Sequence, residues 1–206
     1  MLHSQPRRSP QEISMKRLLD SIGLLSILMF TLACSHTLKQ PEWIFEKAAI
    51  QMHVKADNKL NLYNNKAHTL YVCFYQLREL TDFDQLTQDE AGIRQLLECR
   101  MFDDSVAAAN SKVIHAGENI TLTMDRSERA RYIAMVAGYS ADLTNERVVK
   151  RHRFRVYKTK EGFFKKVYAC EPCVLDVEVS LGPYQIEYSK ILPSGDEEME
   201  CANECE

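Results

Sequence analysis

Glycine is scarce in this chain, at 7 of 206 residues. None of these residues is grouped into the Gly-rich loop whose backbone amides cradle a phosphate. The 6 histidines are scattered, without the H-E-x-x-H spacing that puts two zinc ligands on one helix face. An excess of charge of one sign is also missing, since 26 Lys and Arg stand against 29 Asp and Glu. The one basic cluster, Lys150-Arg151-His152-Arg153, is short and runs into Phe154 and Val156, as the solvated face of a strand does. This pattern excludes the basic footprint of a nucleic-acid binder. The carboxylate pairs Asp82/Asp84 and Asp103/Asp104 fall on expected loops or helix ends, where solvent and the helix dipole account for them. No nucleophile motif is present. The chain reads as a non-enzyme with no catalytic residue, no metal site and no dissociable cofactor.

A hydrophobic run long enough to span a bilayer is missing too, because that takes about 20 residues. What is present is Met15 to Cys34, MKRLLDSIGLLSILMFTLAC. Lys16 and Arg17 lead into an apolar core that ends at Ala33-Cys34, the three-part form of a secretory signal with a lipoprotein cleavage site. The expectation is a leader and signal over residues 1–33 with Met15 as the true start. Lipid is then expected on Cys34, and a tether over 34–48. Several acyl chains hold a protein stably where one holds it marginally. Ser35, in place of the aspartate that retains lipoproteins at the inner membrane, favours the outer membrane, with the domain facing the periplasm. Trp43, the only tryptophan, either packs on the base of the fold or dips towards lipid headgroups.

The remaining chain alternates as β-structure does. Ile50, Met52, Val54 and Ala56 mark a half-buried strand, and Leu70–Gln76 and Arg131–Tyr139 read as central strands, apolar on both faces. Between the first two strands lies a long loop, Asp57–His68, carrying Leu60, Leu62 and Tyr63 among asparagines. These apolar residues either plug one end of the core or meet a partner, and one loop can do both. Thr87 and Glu90 have capping-box spacing ahead of Ile93, Leu96, Leu97 and Met101, a helical stripe. Phe83 and Leu86 suggest a shorter turn before it, and Asp103–Ser111 reads as a loop. Strands follow at Val113–His115, Asn119–Asp125, Val148–Tyr157, Phe163–Ala169, Leu175–Leu181 and around Ile186. The expected fold is mainly β: an antiparallel sandwich of about eight strands over residues 49–190. A helical insertion is expected at about 81–102 and an acidic tail at 191–206.

Six cysteines follow Cys34: Cys73, Cys99, Cys170, Cys173, Cys201 and Cys205. An even number in an oxidising compartment reads as disulfides. The favoured pairing joins Cys73 to Cys99 and ties Cys170/Cys173 to Cys201/Cys205. The alternatives for Cys170-Glu171-Pro172-Cys173 are a thiol–disulfide site and, with the tail cysteines, a four-thiolate zinc site.

Certain segments, taken in order, resemble one family. They are the lipoprotein cysteine, the Leu60-Asn61 step in the first loop, Phe74-Tyr75-Gln76-Leu77, Phe83 and Leu86, Ala116-Gly117-Glu118, and Ala130–Tyr139 (ARYIAMVAGY). From about Ile50 to Phe154 the chain resembles the type VI secretion lipoproteins called TssJ, SciN or VasD. The resemblance implies a transthyretin-like sandwich that anchors a trans-envelope complex to the outer membrane. It also implies binding of the periplasmic C-terminal region of TssM, with TssL indirectly in the complex, through the first loop. Leu60, Leu62 and Tyr63 are then the expected anchors, with Asn58, Asn61 and Asn64 hydrogen-bonding. The alternative functions are a thiol–disulfide protein using Cys170 and Cys173, or an envelope lipoprotein binding another ligand.

Overall fold

The computed structural model describes residues 38–39, 41–161 and 167–193. Cys34, the signal segment, residues 162–166, and Cys201 and Cys205 in the tail lie outside the described residues. Eleven strands and three short helices are described: β1 (Leu38–Lys39), β2 (Glu46–Ala56), β3 (Leu70–Leu77), α1 (Thr81–Leu86), α2 (Glu90–Leu96), β4 (Val106–Ile114), β5 (Asn119–Arg126), β6 (Tyr132–Ala137), α3 (Asn145–Val148), β7 (Val149–Arg153), β8 (Val156–Glu161), β9 (Val167–Pro172), β10 (Leu175–Leu181) and β11 (Ile186–Ile191).

Two four-stranded sheets form the sandwich. One has the order β11-β10-β2-β5 and the other β4-β3-β6-β7. The alternating residues Ile50, Met52 and Val54 of β2, with Leu175, Val177 and Val179 of β10, are buried in a single core. Every pairing within these two sheets is antiparallel except one, β2 with β10, which run parallel in register from Ile50↔Leu175 to Ala56↔Leu181. The two strands are far apart in sequence, so a long connection is available to make a parallel pair.

β3 is central, as its two apolar faces require, with β4 on one side and β6 on the other. Of its outward residues Cys73 and Tyr75 are buried under the helical insertion, whereas Tyr71 is exposed. Tyr75 lies between Phe83 and Phe102, with both ring centroids at 5.8 Å, and its hydroxyl donates to the Leu96 carbonyl. The Cys73–Cys99 disulfide pins the end of this helical insertion to β3. Closing a loop of 26 residues stabilises by about 3–4 kcal/mol on chain-entropy grounds.

Several expectations need correction. The helix expected from Thr87 starts at Glu90, with Asp89 as N-cap accepting from the Gly92 amide at 2.7 Å. Thr87 instead donates to the Asp84 carbonyl and closes α1. Met101 lies beyond α2 and is exposed, so the stripe ends at Leu97. Residues 106–111, read as a loop, form the first part of β4. Ala108 and Ala109 pair with Gln76 and Tyr75, so pairing to a central strand overrides the weak β propensity of alanine. The single strand expected over 148–157 is two strands. β7 pairs with β6, the chain breaks at Phe154-Arg155, and β8 pairs with β9 in a small third sheet of order β1-β9-β8. The expected tether over 34–48 is partly structured, because β1 runs parallel to β9 and β2 already begins at Glu46.

The sandwich has two poles. At the base, where β2 begins, β5 ends at Arg126 and β7 runs into Phe154. At the crown lie the loop after β2, the β4–β5 turn and the β10–β11 turn.

Candidate partner-binding surface

The crown is built around Asp57, which follows β2. Its amide donates to the Leu181 carbonyl at 2.8 Å, and its carbonyl accepts from the amides of Gly117 at 3.1 Å and Leu60 at 3.0 Å. Its carboxylate accepts from the Lys59 amide at 2.6 Å, an Asx turn. One residue therefore ties three separate connections together. Gly117 allows this because it sits at φ +74°, and a Cβ there would lie 2.6 Å from Asn58 Oδ1.

Leu60 points down from this hub and is fully buried in the core. Of the two roles expected for it, plugging the core and meeting a partner, the structure shows the plugging. Asn61, expected to hydrogen-bond a partner, is held by bonds within the fold. It is buried, sits at φ 46°, donates from Nδ2 to the Thr69 carbonyl at 2.9 Å and accepts at Oδ1 from the Ser140 amide at 2.8 Å. Those bonds hold the loop to the chain beyond β6 and leave the amide little to offer a partner. Leu62 is half-buried, with its amide on the Pro183 carbonyl at 2.8 Å.

The next residues form a small hairpin. Tyr63 and Lys66 exchange two backbone hydrogen bonds, at 2.9 and 3.0 Å. Asn64 and Asn65 between them have φ of 49° and 58°, the two left-handed residues of a type I′ turn. Asparagine tolerates that region better than other non-glycine residues, which is why the turn works without glycine. Tyr63 is 53% exposed and packs edge-on against His68 at 6.1 Å. Asn58 and Asn64 are also exposed.

Beside this hairpin stands Tyr184, 50% exposed, directly after the Pro183 that holds Leu62. Its turn is supported from below by the Tyr139 hydroxyl, which donates to the Gln185 carbonyl at 2.7 Å, and burial pushes that phenol's pKa up. Tyr184 lies just before the strand expected around Ile186. The Gly182-Pro183 step before it was the signal that it stands on a turn. Two exposed tyrosines on a backbone fixed by hydrogen bonds make large contacts at low entropic cost, the composition of interface anchors.

At the base the sequence signalled less than the structure contains. Arg126, only 1% exposed, pairs with Glu46 at 2.8 Å and donates to the Ile44 carbonyl at 3.2 Å. Its guanidinium lies over the rings of Trp43 and Phe154, at 5.7 and 5.6 Å. Burial lowers its pKa and Glu46 opposes the shift, and an arginine keeps its charge in either case. Trp43 thus packs on the base.

The C-x-x-C cysteines Cys170 and Cys173 are buried and disulfide-bonded at the passage from β9 to β10. A reactive thiol pair needs access and a helix N-terminus or a cation, and neither buried sulfur fits that pattern. The pairing expected for Cys201 and Cys205 falls outside the described residues, and so does lipidation of Cys34.

Comparison with known proteins settles the family. The family model described as type VI secretion lipoprotein (VasD, EvfM, TssJ) matches residues 48–166. The chain belongs to this family. These lipoproteins are structural, non-enzymatic secretion components. Among solved structures, the type VI lipoprotein TssJ1 from Pseudomonas aeruginosa is similar at 15% identity and a TM-score of 0.52, over 75% of this chain and 99% of that one. That likeness shows the fold. Serratia marcescens Lip, a membrane-bound component of the type VI secretion system, is similar at 15% identity and a TM-score of 0.49, over 71% of this chain and 97% of that one. The TssM C-terminal domain from EAEC is similar at 12% identity and a TM-score of 0.49, over 70% and 98%. No curated protein matches by sequence. The chain is therefore a type VI secretion lipoprotein with a β-sandwich fold, and β9, β10 and β11 lie beyond the segment that the family model matches.

Proposed function

We propose that this type VI secretion lipoprotein is a lipid-anchored adaptor. In this reading it tethers the trans-envelope complex to the outer membrane by binding the periplasmic C-terminal region of TssM, and TssL joins through that complex. Residues 1–33 are removed as the signal, Cys34 carries the lipid, and Ser35 directs the protein outward. The single observation that supports this reading best is the pinned crown loop, which presents Tyr63 beside Tyr184 at the pole opposite the tether. β2 alone, with 11 residues, spans about 35 Å, enough to hold the crown well clear of the membrane.

The contact residues are Tyr63 and Tyr184 as anchors, with Asn58, Asn64 and the exposed part of Leu62 around them. Leu60 and Asn61 act beneath them as supports. The test is binding of the TssM periplasmic region from the same organism to the detergent-solubilised lipoprotein and to a Tyr63→Asp, Tyr184→Asp variant. Binding lost only in the variant supports the reading. Equal binding by both moves the contact away from the crown. No binding by folded wild type removes the TssM assignment. In cells, Cys34→Ser should release the protein from membranes and abolish secretion.

A further inference from the structure

Next to the half-buried Trp43, two large apolar residues face water. Ile44 is 62% exposed and Phe45 58%. They do not sit on a slack tether. The Trp43 carbonyl accepts from the Arg129 amide at 2.6 Å and the Ile44 carbonyl from buried Arg126. The Ala48 amide donates to Asp125 Oδ1 at 2.8 Å, where the β2–β5 ladder skips residues 47–49. The base therefore uses a buried guanidinium and a bulge to hold Ile44 over the groove of Glu42 and Arg78 and Phe45 at the cleft between β4 and β5, both exposed. Solvent alone gives no reason for that arrangement.

We propose that Ile44 and Phe45 form a wedge that inserts among the headgroups of the membrane carrying the anchor, an inference that rests on lipid at Cys34. The occupant follows from chain length. Cys34 precedes Leu38, which is already paired to β9, by so few residues that even a fully extended chain separates them by at most about 14 Å. Ile44 follows Leu38 by six residues, at most about 22 Å more, so the base lies nearer than the crown, a strand length further on, to whatever surface holds Cys34. The groove that Ile44 lines also carries Arg78, Arg129 and Arg131 with Glu42, Glu79 and Glu128. Such a balance of charge suits zwitterionic headgroups and gives no strong attraction to anionic lipid. The wedge holds by apolar insertion, and its contact is insensitive to vesicle charge.

Trp43, the sole tryptophan, is a native reporter beside the wedge. The experiment reconstitutes the lipidated full chain in phosphatidylethanolamine vesicles with brominated acyl chains and reads quenching of Trp43 emission. Strong quenching is expected in wild type, with most of it lost in Ile44→Asp, Phe45→Asp while the protein still floats with the vesicles. Should that pair unfold the chain by near-ultraviolet circular dichroism, Ile44→Ser, Phe45→Ser takes its place with the same expectation. Equal quenching in wild type and variant overturns the wedge, since a short tether alone would then explain proximity. Quenching absent from both, or present only when phosphatidylglycerol is added, overturns it as well. A wild type that does not float with vesicles refutes the lipid anchor itself and takes the wedge with it, an outcome flotation separates from the others.

Discussion

At the base a charged guanidinium is buried among Trp43, Phe154 and Glu46. At the crown the polar groups are mostly backbone amides and asparagines, and the aromatics, Tyr63 and Tyr184, stand in water. The base takes an expensive group inside and meets it with an ion pair and a carbonyl at Nη2 and with two ring faces, while Nε and Nη1 have no hydrogen-bond partner. The crown keeps its rings outside and fixes the backbone beneath them through Asp57, Asn61 and the Asn64-Asn65 turn. The difference teaches where specificity and stability reside. Rigid exposed rings at the crown are available to another molecule, whereas rings stacked on Arg126 hold the start of the sandwich to the segment that precedes β2.

That contrast is broken or sharpened by substitution at each pole. The largest effect is expected for Tyr63→Asp with Tyr184→Asp, which should weaken TssM-region binding by at least about 100-fold, since anchor residues contribute about 2 kcal/mol or more each. Its melting temperature should stay within about 2 °C of wild type, as for other exposed substitutions. A large fall in melting temperature would mean the crown rings are structural, and the contrast would collapse. Leu60→Ala comes next. A fully buried leucine at the foot of the loop should lose about 2–5 kcal/mol by thermal or urea unfolding. Because Leu60 supports the loop from below, binding should weaken too, making it the one crown residue that behaves like the base. Arg126→Ala should cost about 2–3 kcal/mol, less than a fully buried pair, because Glu46 keeps substantial exposure and can rehydrate. Affinity for the partner should not change in this variant. If it did, the poles would be coupled through the sandwich.

Much of the fold was legible because period two survives wherever one face is buried. β2 and β10 announce themselves through Ile50-Met52-Val54 and Leu175-Val177-Val179, and β3 and β6 through runs apolar on both faces. The first half of β4 was not legible. Ala107-Ala108-Ala109 carries no pattern, and only pairing with β3 makes it a strand. The parallel β2–β10 pairing was hidden because sequence spacing reports neighbours along the chain and not across the sheet. At the site, the length and asparagine content of the first loop marked the correct segment. Which residues face out depends on Leu60 turning into the core, a tertiary choice its neighbours do not encode. Arg126 looked like any charge after a strand, and its burial follows from Trp43 folding back over it.

The smallest effect concerns the flank between the poles, where β7 meets β11. His152 is partly buried there, and its Nε2 shares a hydrogen bond of 2.6 Å with Ser189 Oγ. The opposite flank, between β4 and β5, is an open cleft of about 550 Å³ lined by Phe74, Gln76, Asn110, Lys112 and Leu122 among others. Burial lowers the His152 pKa below its ordinary value of about 6.5. In the window between the lowered folded value and about 6.5 the unfolded chain binds more protons, so stability falls as the pH drops through that window. The contribution is complete above the unfolded pKa and is gone below the folded one. Melting curves between neutral and mildly acidic pH should therefore decline in wild type and decline less in His152→Gln, which keeps a side-chain partner for Ser189 without a titrating ring. Base and crown contribute nothing comparable through this group, so partner binding in His152→Gln should match wild type at neutral pH. An equal acid decline in both proteins would shift the sensitivity to other groups and leave the β7–β11 flank as inert as the open one.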